Sequence, residues 1–401
     1  MWIDAGSRFE DDKSNGVAHF LEHMAFKGTQ KRSQMELEIE VENMGAQLNA
    51  YTSREQTVYF AKCFAEDLEH SVEILSDILL NSKYGKSEIE RERAVILREM
   101  QEVEQNLQEV VFDILHLKAF EGSPLHRTIL GPEENIRTID RSQLVEYVQT
   151  HYKGPLMILA AAGGVDHTTL TSLASKYFGQ LDGTVPPSYF IPSTFKGSEA
   201  YLVDESMPFI YGALAVEGAG WKNPDNFPLM IANTLIGQWD RSHGAGVLAP
   251  SRLARRLKGA DCQMFQAFNT CYRETGLWGV YFACAPEAAR DMTHAIQDEW
   301  HYFCNTITDD DVERGKRLLQ ANMLLLLDGS TPICEDIGRQ MLCYGRRIPL
   351  HELEYRIACV DAKTVRNVCR RYLHNRPPAI AAVGKSGVFE SYEKIRQRMV
   401  W

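Results

Sequence analysis

The sequence predicts an α+β protein made of two similar α/β-sandwich domains, and three observations predict it. Strand-like and helix-like stretches recur in the same order in the two halves. Their period of about 200 residues is that of a duplicated domain rather than of a solenoid repeat. A Pro- and Gly-containing stretch from Asp182 to Ser198 separates the halves, with Gly-Thr-Val-Pro-Pro followed by Pro192 and Gly197. A metal-binding pattern, His19-Phe20-Leu21-Glu22-His23, stands in the first half and not at the matching place in the second. The expected division is 1–185 for an N-terminal metal-binding domain, 186–198 for a linker, and 199–401 for a C-terminal repeat without a metal site.

The elements follow in order. Gly16 to Thr29 is expected to hold an apolar helix carrying His19, Glu22 and His23. Ser33 with Glu36 forms a capping box for a helix through about Met44, which Gly45 stops. Gln47 to Ser53 and Thr57 to Cys63 alternate and carry Tyr, Thr, Val and Phe, so they read as paired strands. Helices are expected over Asp67 to Leu80, Ser87 to about Leu107 with a second capping box at Ser87 and Glu90, Glu109 to Phe120, and Arg141 to Tyr152. Met157 to Ala162 reads as a buried strand closed by Gly163 and Gly164.

The second half repeats this. Tyr211 to Gly220 matches Trp2 to Ser7, and Asn226 to Gly237 matches the first apolar helix. Gly276 to Ala285 matches Thr57 to Cys63, and Asp311 to Leu327 matches Glu88 to Glu104. Val365 to Gly384 matches Leu144 to Gly163. Pro228, Ile231 and Ala232 then fall where His19, Glu22 and His23 stand. Gly244-Ala245-Gly246 lacks the ending of a phosphate loop and is read as a plain loop.

Composition narrows the class. Of 401 residues, 44% are hydrophobic and 24% charged, as in an ordinary folded protein, and no apolar run is long enough to span a bilayer. The net charge of −11 argues against nucleic acid and for basic ligands. Nine cysteines without a C-x-x-C pair argue against a disulfide framework and for a reducing compartment. The chain opens on Met-Trp-Ile-Asp-Ala-Gly with no targeting leader, which is expected to be unnecessary or to lie outside this sequence.

His19 and His23 are four residues apart, so on a helix they project from one face and can share a zinc ion. Glu22 precedes the second histidine and can reach a water on the metal without being a ligand. This is the inverted H-x-x-E-H order. A catalytic zinc takes three protein ligands. The helix from Ser87 offers Glu92, Glu99, Glu102 and Glu104, and spacing alone does not choose among them.

GVAHFLEHMAFKGT, NMGAQLNAYTSREQTVYFAKC and SEIERERAVILREMQEVEQN resemble the pitrilysin-type inverted zinc peptidases, and within them the branch that processes mitochondrial presequences. IGQWDRSHGAGV, ETGLWGVYF and DGSTPICEDIGRQMLCYGRRIP extend the resemblance, which runs from Trp2 to the C-terminus. It implies one zinc per chain, with Glu99 as third ligand beside His19 and His23, Glu92 supporting the ligand shell, and Glu22 as general base. It implies basic presequence peptides as substrate, with Glu109 and Asp113 receiving an arginine near the cut. Asn49, Ala50, Tyr51 and Thr52 resemble an edge strand that pairs with extended substrate. Phe26 resembles a residue lining the pocket after the cut, and Tyr272 a tyrosine that reaches the active site from the second domain.

The resemblance also implies a heterodimer with an α subunit that has a glycine-rich loop and no zinc, a loop this chain lacks. The expected location is the mitochondrial matrix or the matrix face of the inner membrane. A structural core subunit of the respiratory cytochrome bc complex is the competing expectation, alone or as a second role. The intact set His19, Glu22, His23 and Glu99 favours the enzyme.

Overall fold

The computed structural model describes residues 1–185, 190–243, 251–257 and 261–401. Residues 186–189 of the expected linker and the Gly244–Gly246 loop lie outside the described residues. Ten strands are described: β1 (Trp2–Ile3), β2 (Gln47–Thr52), β3 (Thr57–Lys62), β4 (Met157–Ile158), β5 (Ser198–Val203), β6 (Ile210–Ala219), β7 (Gln238–Asp240), β8 (Cys262–Cys271), β9 (Thr275–Cys284) and β10 (Ala379–Gly384). They form a four-stranded sheet in the order β2-β3-β1-β4 and a six-stranded sheet in the order β5-β10-β6-β9-β8-β7.

The duplication is visible in the pairing. The order β8-β9-β6-β10 in the larger sheet repeats β2-β3-β1-β4, antiparallel throughout, and the larger sheet adds β5 and β7 at its edges. The helix order repeats as well. Val17–Met24 matches Asn226–Ile236, Lys86–Val103 matches Asp309–Leu325, and Arg141–His151 matches Ala362–Leu373.

The chain forms two compact units that are not its two consecutive halves. One comprises Met1–Glu102, Arg127–Pro192 and Leu327–Arg347. The other comprises Val103–His126, Ser193–Leu326 and Ile348–Trp401. Helices Leu107–Ala119 and Ser330–Tyr344 occupy equivalent places in the repeat, and each belongs to the unit built mainly from the other half. The sequence expectation of 1–185 and 199–401 follows the repeat; packing exchanges these two segments.

In the first unit, alternate residues of β2 serve opposite faces of the sheet, as the two-residue period of a strand requires. Leu48 and Ala50 pack with the core of Phe20, Leu21, Met24, Ile74 and Ile78. Tyr51 points the other way and donates its hydroxyl to Glu335 Oε2 of helix Ser330–Tyr344 at 2.8 Å. That helix packs on β1 and β4, and it needs glycine at one contact: a Cβ on Gly338 would lie 1.9 Å from Trp2 Nε1. In the second unit, Leu214, Val216, Trp278, Val280 and Phe282 build the main core with helices Ala289–Asn305 and Ala362–Leu373. The intervening Ala213, Ala215, Leu277 and Tyr281 meet Val111, Leu115 and Ala119 of helix Leu107–Ala119.

Three local expectations are corrected. The helix expected from Ser87 begins at Lys86, and Ser87 donates its hydroxyl to Glu88 instead of capping with Glu90. That helix ends at Val103, and a new one starts at Leu107 with the Asn106 side chain accepting from the Glu109 N–H. Asparagine is a strong N-cap, and it moves the boundary between the two expected helices from about Leu107 back to Asn106. The strand expected over Met157 to Ala162 is paired only at Met157–Ile158, because β1 offers it two residues where β6 offers β10 five.

Candidate metal centre

Helix Val17–Met24 is short, and packing holds it: Val17, Phe20, Leu21 and Met24 are buried in the first unit's core. Burial of four such side chains is worth about 1.5–3 kcal/mol each, far more than eight residues gain from helix propensity. The same turns carry His19 and His23 on a face that meets helix Lys86–Val103. On that second helix Ile89, Glu92 and Ile96 are buried, and Glu99 continues the stripe one turn on. Two carboxylates are thereby carried inward on an apolar stripe. Glu102 and Glu104, which spacing left open, are exposed.

The donor atoms converge. Glu99 Oε1 lies 3.5 Å from His19 Nε2, and Glu99 Oε2 lies 3.1 Å from His23 Nε2. One donor atom from each of the three residues falls within 4.8 Å of the others. Ligands about 2.0–2.1 Å from a tetrahedral zinc stand roughly 3.3 Å apart, so these separations match edges of such a polyhedron. His19 is 5% exposed and its Nδ1 is buried with no hydrogen-bond partner, so nothing competes for the orientation that turns Nε2 toward Glu99. The donor set fits zinc. Among the described residues, it is the one such cluster of His, Cys, Asp and Glu. Pro228, Ile231 and Ala232 at the matching places of the second unit are all buried core.

Glu92 sits behind His23. Its Oε2 lies 3.3 Å from His23 Nδ1, and its Oε1 is 2.9 Å from Lys27 Nζ. A carboxylate on the far nitrogen of a ligand histidine fixes the tautomer that leaves Nε2 free for metal. Burial opposes charge on His23, yet hydrogen bonds to Glu99 and Glu92 outweigh it and leave the His23 pKa above its ordinary value. Hydrogen bonds from His19 and His23 hold Glu99 well below the usual carboxylate range. Glu22 is half-buried on the same helix; the buried Tyr59 and Tyr152 hydroxyls, 3.0 Å apart, are pushed up mainly by burial and in small part by the Glu22 charge.

The remaining predicted residues fall into two groups. In the first unit, Asn49, Ala50, Tyr51 and Thr52 lie on β2, an edge strand of its sheet. Asn49 Oδ1 accepts from the Ala50 N–H at 2.8 Å, which occupies one donor of the open edge. Phe26 is half-buried, packs against the core and holds its ring 6.5 Å from that of Tyr59. In the second unit, Glu109 and Asp113 share helix Leu107–Ala119, and Glu109 Oε1 accepts from Asn106 Nδ2. Tyr272 is 7% exposed, with its hydroxyl 2.6 Å from His116 Nε2.

Two site residues escaped the sequence reading. Lys27 lies beyond the helix end at Met24, and its contact with Glu92 of another helix has no signal in the local spacing. Glu10 lies outside the motif and hydrogen-bonds the start of its helix, a contact with no sequence signature.

Comparison with known proteins agrees with this geometry. Residues 1–133 match the family described as Insulinase (Peptidase family M16), and residues 138–319 match the Peptidase M16 inactive domain. Mitochondrial-processing peptidase subunit beta of Homo sapiens is 58% identical over 406 residues, covering 100% of this chain and 83% of the relative. The protein of the same name from Caenorhabditis elegans is 53% identical, covering 100% of this chain and 88% of the relative. Cytochrome b-c1 complex subunit 1 of Homo sapiens is 48% identical over 100% of this chain and 84% of the relative. The fold is also that of a chain in a solved structure titled Complex III2 from Candida albicans, Inz-5 bound, with a TM-score of 0.89 at 22% identity over 100% of this chain and 93% of that one. With family matches over both parts of the sequence, an inverted H-x-x-E-H helix and a converged His-His-Glu donor set, this chain belongs to peptidase family M16, the metallopeptidases.

Proposed function

We propose that this chain is the zinc-bearing subunit of an endopeptidase that removes basic N-terminal presequences from proteins imported into mitochondria. The observation that carries the reading is the convergence of His19, His23 and Glu99 beside Glu22, in a chain whose relatives at 53–58% identity are named processing-peptidase β subunits. His19 Nε2, His23 Nε2 and a Glu99 oxygen would hold one zinc ion, and Glu92 would keep His23 in the required tautomer. Zinc bound there supplies a Lewis acid that acidifies water and polarises a carbonyl. Glu22 accepts the proton of the attacking water at its carboxylate and hands it to the nitrogen of the leaving amine.

The substrate class follows from charge. Presequences are rich in arginine and poor in acids. Eight acids against three arginines between Glu88 and Asp113 give the complementary field. Glu109 and Asp113, one helical turn apart, would receive one guanidinium between them. An extended substrate would add to the β2 edge at Asn49–Thr52 after displacing the Asn49 side chain from the Ala50 N–H. Changing Glu109 and Asp113 together to their amides (Glu109→Gln, Asp113→Asn) is expected to raise KM about tenfold or more for a peptide with arginine near the cut. The same pair should leave a peptide with norleucine there unchanged, as steady-state kinetics on both peptides would show.

The working form in this reading is a heterodimer in the mitochondrial matrix with an α subunit that has a glycine-rich loop and no zinc. No helix among the described residues is long and apolar enough to cross a membrane. The 48% identity to a cytochrome b-c1 complex subunit supports a second reading, a structural subunit of that complex, alone or in addition. Retention of His19, Glu22, His23 and Glu99 favours the peptidase. The deciding experiment is cleavage of an arginine-containing presequence peptide by this chain with an α partner. Cutting abolished by chelator and restored by zinc is expected. A stable, zinc-loaded heterodimer that cuts nothing would overturn the peptidase reading and leave the structural one.

A further inference from the structure

The helix that carries the motif begins without a cap of its own. Its N-cap position is Gly16, at φ +108°, which has no side chain to accept from the first turn. Glycine is required there, since a Cβ would come 2.7 Å from both Ile136 Cδ1 and the Leu130 carbonyl. The first-turn amides are met from outside. Val17 donates its N–H to the Ser14 carbonyl at 3.0 Å, whereas the helix's own i→i−4 ladder begins only at Phe20, which donates to the Gly16 carbonyl at 2.9 Å. Two more fall to Glu10. Its Oε1 accepts from the Ala18 N–H at 2.7 Å, and its Oε2 from the Gly16 N–H at 3.0 Å and Asn15 Nδ2 at 2.8 Å. Glu10 is 6% exposed.

The carboxylate is itself held from the far side. Asn15 Nδ2 also donates to the Thr128 carbonyl at 2.8 Å, and Asn135 Nδ2 donates to the Asn15 carbonyl at 3.1 Å and the Asp12 carbonyl at 2.9 Å. The Gly131 backbone lies so close that a Cβ would fall 2.3 Å from the Asn15 carbonyl oxygen. All of these residues belong to the first compact unit. Burial pushes the Glu10 carboxyl up to about 7 against the hydrogen bonds from Ala18, Asn15 and Gly16, and three N–H donors aimed at its two oxygens hold it in one orientation.

We infer that Glu10 is a positioning residue for the metal centre: as the external cap of helix Val17–Met24 it fixes the phase at which His19 and His23 leave that helix. Ala18, whose N–H it takes, is the residue before His19. A helix of two turns has little stiffness of its own, and a metal site works only when its ligands are held within about 0.5 Å of the productive geometry. Glu10 touches neither substrate nor metal and acts through the backbone. The inference rests on the reading of His19, His23 and Glu99 as zinc ligands.

The test measures zinc affinity of the full chain by competition with a chromogenic chelator, together with hydrogen exchange at the Gly16 and Ala18 amides. Glu10→Gln offers one acceptor oxygen and sets an NH2 group against the remaining N–H donors. It is expected to weaken zinc binding about tenfold, as loss of an outer-shell support does, and to speed exchange at both amides. Ile74→Val, a core change in the same unit, controls for stability and should leave zinc affinity unchanged. If Glu10→Gln does not fold, Asn15→Ser removes one donor from an intact Glu10. It should weaken zinc about threefold, the typical net effect of one hydrogen bond. Wild-type zinc affinity in folded Glu10→Gln or Asn15→Ser, or an equal loss in Ile74→Val, would overturn the role of Glu10. A wild-type chain that binds no zinc would instead overturn the metal reading beneath it.

Discussion

Glu22→Gln should leave zinc bound at one ion per chain and lower kcat by about 10³-fold or more, with KM little changed. The substitution keeps size and hydrogen-bonding reach and removes only the proton acceptor. General base catalysis by a placed carboxylate contributes about 10²–10⁴-fold, and here one group both takes and returns the proton, so the upper part of that range applies. A loss of 10³ corresponds to about 4 kcal/mol of transition-state stabilisation. The check pairs zinc analysis with single-turnover cleavage of a presequence peptide by the heterodimer. Residual turnover within tenfold of wild type would remove Glu22 from the chemistry. Loss of zinc along with activity would make it a ligand or a support for one.

His19→Ala is the second large effect, and it should act on the metal first. Zinc in small protein sites binds with about 10–16 kcal/mol, so the loss of one of three ligands costs on the order of 4 kcal/mol, or about 10³ in affinity. Activity should vanish at nanomolar zinc and return in part at high micromolar zinc, which Glu22→Gln would not do. Acidification should imitate the substitution. Metal binding needs neutral imidazole, and the His23 pKa stands above its ordinary value because Glu99 and Glu92 outweigh its burial. Protons therefore compete with zinc from above the normal histidine range downward, and affinity should fall as pH drops through that window. Hydrogen bonds from His19 and His23 hold Glu99 well below the usual carboxylate range, so the competition does not come from the carboxylate. Chelator competition across pH 5.5–8.5 would read this directly. An affinity flat over that range would exclude histidine ligation.

Most of this centre was legible in the sequence because its chemistry is local. His19, Glu22 and His23 lie within two helical turns, and their spacing states a shared face without any tertiary knowledge. Glu99 was legible by resemblance and not by spacing: four acids of one helix qualified, and the choice depended on which lay in phase with Ile89 and Ile96. Reading those isoleucines as the buried stripe would have excluded Glu102 and Glu104. The strand order was latent in the repeat, since the two halves pair their strands alike. What stayed hidden depends on contacts between distant stretches. Glu10 reaches a helix it does not belong to. Tyr272 spends its hydroxyl on His116, a partner 156 residues away in the chain. The exchange of two helices between units leaves no periodic trace, because both keep the apolar faces they would need in either place.

That exchange bears on how the chain can be made. The unit holding the metal residues takes its last helix from Leu327–Arg347, and until that stretch leaves the ribosome Trp2 and the sheet around it have no cover. The first half cannot finish folding while it is the only half synthesised, although domains generally complete themselves in order of synthesis. Contacts such as Tyr51 with Glu335, separated by 284 positions, also place a long loop closure late in the pathway and slow it. A nascent chain halted near residue 200 should be open to protease along β2 and to capture by a chaperone, and one halted beyond the second exchanged helix should not.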